Sequence, residues 1–332
     1  MMHCLLALLC AASAEPHVPR AVVINLPRNP ERYSGVKAAL SAERLSFERR
    51  DAVDGRAMTE AARRANVTWL GRALMTPGMI GCYLSHRECW ALCVSRGEPL
   101  IVFEDDVLLA DGFKQKLAAA MENLPDDWDV LLLGTIGAIS PKYYHVNLPH
   151  AVAAGGMRWP RWHAQDVHEP LRPFGTHAYL VSPKGAEELL RRCPRVNYHV
   201  DVVAWGLRGL RLFAIHPLLA RQTHEDTTID GASDRSWLPK LVIDPYTGAD
   251  FAWAWNAPLF KVGGHRGLLL TSGRMISVGA IGLLVAVFTR SLAPLVWSAG
   301  YILTVMLFVR LMVFQPPAHP RPSASAVLSA SA

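Results

Sequence analysis

Between residues 275 and 314 the chain carries only two charges, Arg290 and Arg310. Residues 276–288 and 292–309 are otherwise unbroken apolar runs. No other feature restricts the fold as strongly. Lipid admits only structures that satisfy their own backbone polar groups, which for runs of this composition means helices. A spanning helix needs roughly 20 apolar residues. The second run nearly meets that by itself. The first meets it when it starts near Leu268 and Arg274 snorkels to the interface. Two arrangements fit residues 268–314: a helical hairpin turning near Arg290–Ser291, or one spanning helix after an interfacial one. A buried pair of core helices is the competing reading, and the run lengths disfavour it.

The other terminus has a related character. Residues 5–12 are apolar but too short to cross a bilayer, and Ala12-Ser13-Ala14 supplies small residues where a leader would be cleaved. Residues 1–14 are therefore expected to be a signal peptide, although no Lys or Arg precedes the apolar run; a frayed apolar terminus is the alternative. Residues 315–332, rich in Pro, Ser and Ala, are expected to be a disordered tail. Asn66-Val67-Thr68 is the single glycosylation sequon and would mark an exposed lumenal loop. These features together place the chain in a secretory-pathway membrane, endoplasmic reticulum or Golgi, with its bulk on the lumenal side.

Between the ends, 51% apolar and 19% charged residues over the 332-residue chain exclude wholesale disorder. The net charge of +6 comes without a basic run, so no nucleic-acid partner is expected. Six cysteines in a chain this long do not make a disulfide scaffold. Short β-branched runs alternate with helical stretches. Residues 21–26, 47–53, 100–103, 129–133, 176–181 and 211–216 read as strands, with Gly134 stopping the fourth. Residues 31–41, 59–66 (Thr59 as N-cap), 77–96 (Pro at its start), 111–123 and 183–192 read as helices. Residues 135–173 have no period and carry Trp159 and Trp162. A structureless loop of that length is unusual and often functional. The rhythm predicts an α/β domain over residues 20–261, a mostly parallel sheet with helices on both faces.

Residues 100–103 run directly into Glu104-Asp105-Asp106. Alternation along an extended chain would put Glu104 and Asp106 on one side and Asp105 on the other. Paired carboxylates at the end of a parallel strand suit a hard divalent cation, Mg²⁺ or Mn²⁺, and open α/β sheets bind ligands at that end. A solvated acidic turn is the alternative. Upstream, Cys82, His86, Cys89 and Cys93 lie on one helical stripe about 16 Å long, too spread for four ligands to meet on one tetrahedral ion. The cysteines are expected to be core residues and His86 a satisfied core histidine.

In order along the chain, "VVINLPRNPERY", "RRDAVDG", "TPGMIGCYLSHRECW", "IVFEDDVLL", "DWDVLLLG" and "GTHAYLVSPKGAEELL" resemble the blocks of glycosyltransferase family 25, the lipooligosaccharide and procollagen galactosyltransferase family. The likeness covers about residues 22–232. The C-terminal apolar segment and the Trp-rich stretch from 136 to 173 depart from the pattern. The resemblance implies a GT-A-like, Rossmann-type fold and a UDP-sugar donor. It also implies Mn²⁺ or Mg²⁺, and inverting transfer of a hexose, usually galactose, to a glycan or protein hydroxyl. It implies Asp106 as direct metal ligand and Glu104 assisting through ribose or a metal-bound water. Asn25, Arg28 and Arg32 would lie near the nucleotide, with Asp105 beside them. Asp201 would be the general base, with a helix cap as its alternative role, and His224 either completes the metal shell or lies in a solvated loop. Asp54, Ser85 and His86 belong to matching blocks, with no role that spacing derives. Two other functions stay open: a catalytically degenerate homologue that binds glycan or nucleotide, and a nucleotide-sugar hydrolase.

Overall fold

The computed structural model describes residues 17–136, 161–223, 242–244, 249–250, 255–263 and 267–313. The expected leader, the expected tail, Trp159 and His224 lie outside these residues. The first half comprises β1 (Ala21–Asn25), α1 (Pro30–Ala42), β2 (Phe47–Asp51), α2 (Glu60–Asn66), α3 (Trp69–Leu74), α4 (Pro77–Arg96), β3 (Leu100–Glu104), β4 (Val107–Leu109), α5 (Phe113–Glu122) and β5 (Val130–Ile136). Then follow β6 (Arg161–Trp162), β7 (Val167–Glu169), β8 (Phe174–Val181), α6 (Pro183–Arg192), α7 (Val200–Ala204), β9 (Leu212–Ile215) and β10 (Ala220–Gln222). The C-terminal part holds β11 (Val242–Asp244), β12 (Ala249–Asp250), β13 (Pro258–Val262), β14 (Leu268–Thr271), α8 (Ser272–Thr289) and α9 (Ala293–Val313).

The main sheet has the order β2-β1-β3-β8-β5-β9-β7-β6. Six of its eight strands point one way, with β7 and β8 reversed. Its central strands are mostly apolar, because both faces are covered. On one face Val23, Ile101, Phe103, Leu131 and Leu133 meet Val36 and Leu40 of α1 and Phe113 and Leu117 of α5. On the other, Val22, Ile24, Val102, Val130 and Leu132 meet Ile80, Tyr83 and Trp90 of α4 and Leu189 of α6.

Local signals fix several boundaries. The Thr76 hydroxyl accepts from Met79 N at 3.2 Å, Pro77 opens α4, and Gly97 closes it at φ 68°. Thr59 caps α2 as expected, through Ala62 N. Two expectations need correction. Gly134 does not stop β5, which continues to Ile136 through an irregularity between Leu132 and Gly134. A Cβ on Gly134 would collide with the His177 ring and stand 2.6 Å from Ala220 O, so glycine there lets neighbouring chains approach. The 135–173 stretch is not wholly without structure: Thr135 and Ile136 complete β5, and β6 and β7 extend the sheet edge. The sequon is not in an exposed loop either. Asn66 ends α2 with its amide bonded to Ala62 O, Val67 is fully buried, and Thr68 N bonds Val196 O.

Helices α8 and α9 pack as an antiparallel hairpin. Arg290 ends α8 in the left-handed region at φ 52°, three residues before α9 begins. A Cβ on Gly282 would overlap Ser298 and stand 3.0 Å from Pro294 O, and one on Gly279 would touch Ile302 at 3.0 Å, so small residues set the helix–helix approach. Both helices are long and apolar enough to cross a membrane. Their outer faces bear large exposed apolar side chains, with Phe288 92% and Trp297 80% accessible. The inner residues Val305, Val309 and Met312 join the apolar cluster that contains Leu259 and Leu270.

Candidate active site

Strand β3 ends at Glu104, and the chain turns at once through Asp105 and Asp106 before β4. The turn replaces the simple alternation expected of an extended chain. Arg32, on α1, brings Asp105 and Asp106 together instead, with its Nη2 3.0 Å from Asp105 Oδ1 and 2.7 Å from Asp106 Oδ2. Asn25, the last residue of β1, donates its amide to Asp105 Oδ2 at 2.7 Å and to Asn29 O at 2.8 Å. Gln222 of β10 donates to Asp106 Oδ2 at 2.9 Å, and Thr223 N donates to Asp106 O at 3.0 Å. Asp106 Oδ1 and Asn25 Oδ1 are buried and have no hydrogen-bond partner among the described residues.

Glu104 faces α4 and β8. Its Oε1 accepts from the Thr176 hydroxyl at 2.7 Å and lies 3.4 Å from His86 Nε2. His86 Nδ1 is 3.0 Å from the Tyr179 hydroxyl, which also accepts from Trp90 Nε1 at 3.0 Å. With Trp90 donating to that oxygen, the phenol proton can go to Nδ1, which leaves Nε2–H for Glu104. Burial opposes ionisation of Glu104, but the hydrogen bonds it accepts from His86 and Thr176 outweigh it and hold its pKa well below the ordinary carboxylate value. Asp106 goes the other way: burial and the Glu104 carboxylate push it up to about 7, against Arg32 and Gln222. Burial also raises Asp105, against Asn25 and Arg32. Adjacent acids with such divergent environments make this strand end a candidate functional site.

The remaining expected residues have definite places. Arg28 pairs with Asp54 at the rim, between the loops that follow β1 and β2. Ser85 is buried; its hydroxyl donates to Gly81 O and accepts from Val53 N, both at 2.8 Å, so it fixes the β2 exit against α4. Asp201, in the first turn of α7, accepts from Gly175 N at 2.7 Å and Val202 N at 2.8 Å. Trp205 Nε1 donates to Gly175 O at 2.8 Å. Asp201 thus holds Gly175, the neighbour of Thr176, which holds Glu104.

Cys89 and Cys93 are fully buried core residues, and burial pushes both thiols up to about 12. Cys82 differs from them. It is half-buried, and its Sγ, a His86 ring nitrogen and a Glu104 carboxylate oxygen all lie within 4.8 Å of one another. Burial raises its thiol well above the ordinary range, aided by Glu104, Asp201 and Asp106. Thr176, Tyr179, Trp90 and Gln222 are the site residues that sequence reasoning missed. Thr176 and Tyr179 stood in a recognised block, but nothing local to them signals that β8 inserts antiparallel beside β3.

A family model described as Glycosyltransferase family 25 (LPS biosynthesis protein) matches residues 19–204. Among curated relatives, "Probable inactive glycosyltransferase 25 family member 3" of Bos taurus is 32% identical over 248 residues, covering 65% of this chain and 38% of that protein. "Inactive glycosyltransferase 25 family member 3" of Homo sapiens is 32% identical over 242 residues, 65% of this chain and 38% of its own length. "Procollagen galactosyltransferase 2" of Homo sapiens is 27% identical over 232 residues, covering 61% of this chain and 34% of its own length. The chain spans well under half the length of these relatives.

Proposed function

This chain belongs to glycosyltransferase family 25, and on that premise we propose that it is a metal-dependent hexosyltransferase held in a membrane by its C-terminal hairpin. It moves a hexose, galactose first among the candidates, from a UDP-sugar to a hydroxyl of a glycan or protein acceptor, with inversion. The observation that carries the reading is the buried Oδ1 of Asp106, two residues past the end of β3, which has no hydrogen-bond partner among the described residues. The donor set around it is oxygen-rich, and that suits Mn²⁺ or Mg²⁺. Asp106 would hold the cation directly, with Glu104 reaching it through water or contacting the ribose. Such a cation supplies charge stabilisation to the departing nucleotide diphosphate.

This chain's own groups do the rest. Arg32 keeps Asp105 and Asp106 in one geometry, and its guanidinium suits phosphate recognition. Asn25 and Arg28 flank the exit of β1, where the nucleotide would lie. Asp201 is the candidate base: a carboxylate offers about four acceptor positions, and the backbone N–H groups take two. A lumenal placement in the endoplasmic reticulum or Golgi rests on the two apolar ends, and protease protection in intact microsomes tests it.

A second reading is favoured by one observation. The Arg32 guanidinium already lies between Asp105 and Asp106, an internal cation neutralising the pair. Under that reading the chain binds nucleotide or glycan without transfer, in keeping with the names of its 32% identical relatives. The full-length chain in detergent, with Mn²⁺, a panel of UDP-sugars and acceptors present or absent, separates the alternatives. Nucleotide release only with acceptor means transfer. Release without acceptor means hydrolysis, and binding without release means a degenerate site. Asp106→Asn is expected to abolish metal-dependent donor binding; unchanged affinity overturns the assignment of Asp106.

A further inference from the structure

We propose that Cys82 Sγ, His86 Nε2 and a Glu104 carboxylate oxygen form a three-ligand site for a transition-metal ion of the Zn²⁺ class, distinct from the Asp106 position. Their ligand atoms already lie within 4.8 Å of one another. Around a tetrahedral ion with Zn–S of about 2.3 Å and Zn–N of about 2.0 Å, ligand atoms stand roughly 3.5 Å apart, so small side-chain rotations close the shell. Cys82 and His86 sit four residues apart on α4, which stacks them on one helix face. Glu104 comes from the end of β3, so helix and strand clasp the position between them.

The surroundings match a metal centre in three respects. The far ring nitrogen of His86 is 3.0 Å from the Tyr179 hydroxyl, the kind of outer contact that orients a metal-bound imidazole. The second is the Thr176 hydroxyl, which restrains Glu104 and also bonds Cys82. Third, three carboxylates, Glu104, Asp201 and Asp106, stand near enough to act on Cys82, a negative surrounding that favours a cation. Three protein ligands leave a fourth position for water or substrate in a zinc site of this kind, and Cys82 and Glu104 keep some solvent exposure. A thiolate and an imidazole select Zn²⁺-class ions over Mg²⁺. On binding, the Cys82 thiol loses its proton to solvent. The imidazole adopts the tautomer with Nδ1–H directed at the Tyr179 oxygen, whose two lone pairs take both Trp90 and His86. Glu104 exchanges its contact with Nε2 for the ion and keeps Thr176.

Co²⁺ in place of Zn²⁺ makes the site visible. The full-length chain, stripped with chelator and titrated with Co²⁺ in detergent, is expected to show a thiolate-to-cobalt charge-transfer band that saturates at one equivalent of thiolate-bound ion, whatever else the Asp106 position takes up. Zn²⁺ should displace it and excess Mg²⁺ should not. Cys82→Ser should remove the band, whereas Cys89→Ser, on the same helix but in the core, should keep it. Asp106→Asn should also keep it, so failure of this site and failure of the transferase reading are told apart. X-ray absorption on the Zn²⁺-loaded wild type, which needs no variant to fold, should count one sulfur ligand. No thiolate band, a band that survives Cys82→Ser, or a sulfur-free shell overturns the proposal.

Discussion

Asp201→Asn tests how the start of β8, which bears Thr176, is held. The native carboxylate accepts two backbone N–H groups on separate oxygens, from Gly175 at 2.7 Å and Val202 at 2.8 Å. Asparagine keeps one acceptor oxygen and must present its NH₂ to the other donor. One charge-assisted bond is lost and a partly buried N–H is left facing another donor, at a cost of about 1–3 kcal/mol. For a chain of this size that is a fall of about 3–4 °C in Tm at the middle of the range. The loss reaches the chemistry as well. Gly175 is pinned at both polar backbone groups, by Asp201 and by Trp205, and Thr176 next to it bonds Glu104. The assay pairs thermal and urea melts with turnover. A base with no structural role would leave the melt unchanged while turnover falls by about 10²–10⁴-fold. A clamp alone would lower the melt and leave the turnover of folded protein within a few-fold. A residue that does both shows both losses. A melt identical to wild type refutes the reasoning, because the two hydrogen bonds would then contribute nothing to the fold.

Two further outcomes follow from the same structure. His168 is fully buried at the sheet edge, and burial together with His216 brings its pKa down to about 4. An unfolded His titrates near 6.5, so the stability this neutral ring confers is complete above about pH 6.5 and falls as pH drops towards 4, by about 3 kcal/mol once protonation is complete. Urea midpoints between pH 7 and pH 4 should therefore fall less steeply in His168→Gln than in wild type, and identical slopes would defeat the assignment. In the hairpin, Gly282→Leu places a side chain where Ser298 already lies. Overpacking of that kind costs about 1–3 kcal/mol, so the detergent-solubilised chain should melt earlier while donor binding holds. An unchanged melt would mean that the two helices do not pack in this register.

What the sequence made legible was local. Thr76, Pro77 and Gly97 bracket α4, and the strand runs stand out because the sheet is covered on both faces. Arg290–Ser291 interrupts two apolar runs, and the turn falls there. The site was legible only as residue types at a strand end, because its geometry depends on pairings distant in sequence. Strand β8 enters antiparallel between β3 and β5, and that single insertion places Thr176 on Glu104 and Tyr179 on His86. The turn at Asp105 and Asp106 then breaks the alternation that an extended chain would keep, so that Arg32 joins the two carboxylates that alternation would separate. The cysteine stripe shows the same limit from another side. Four residues along 16 Å of helix cannot meet on one ion, and Cys89 and Cys93 do go to the core. That geometry counted ligands on one element only. A third ligand supplied by a neighbouring strand changes the chemistry available to Cys82 and His86, and helical spacing carries no information about which strand that is.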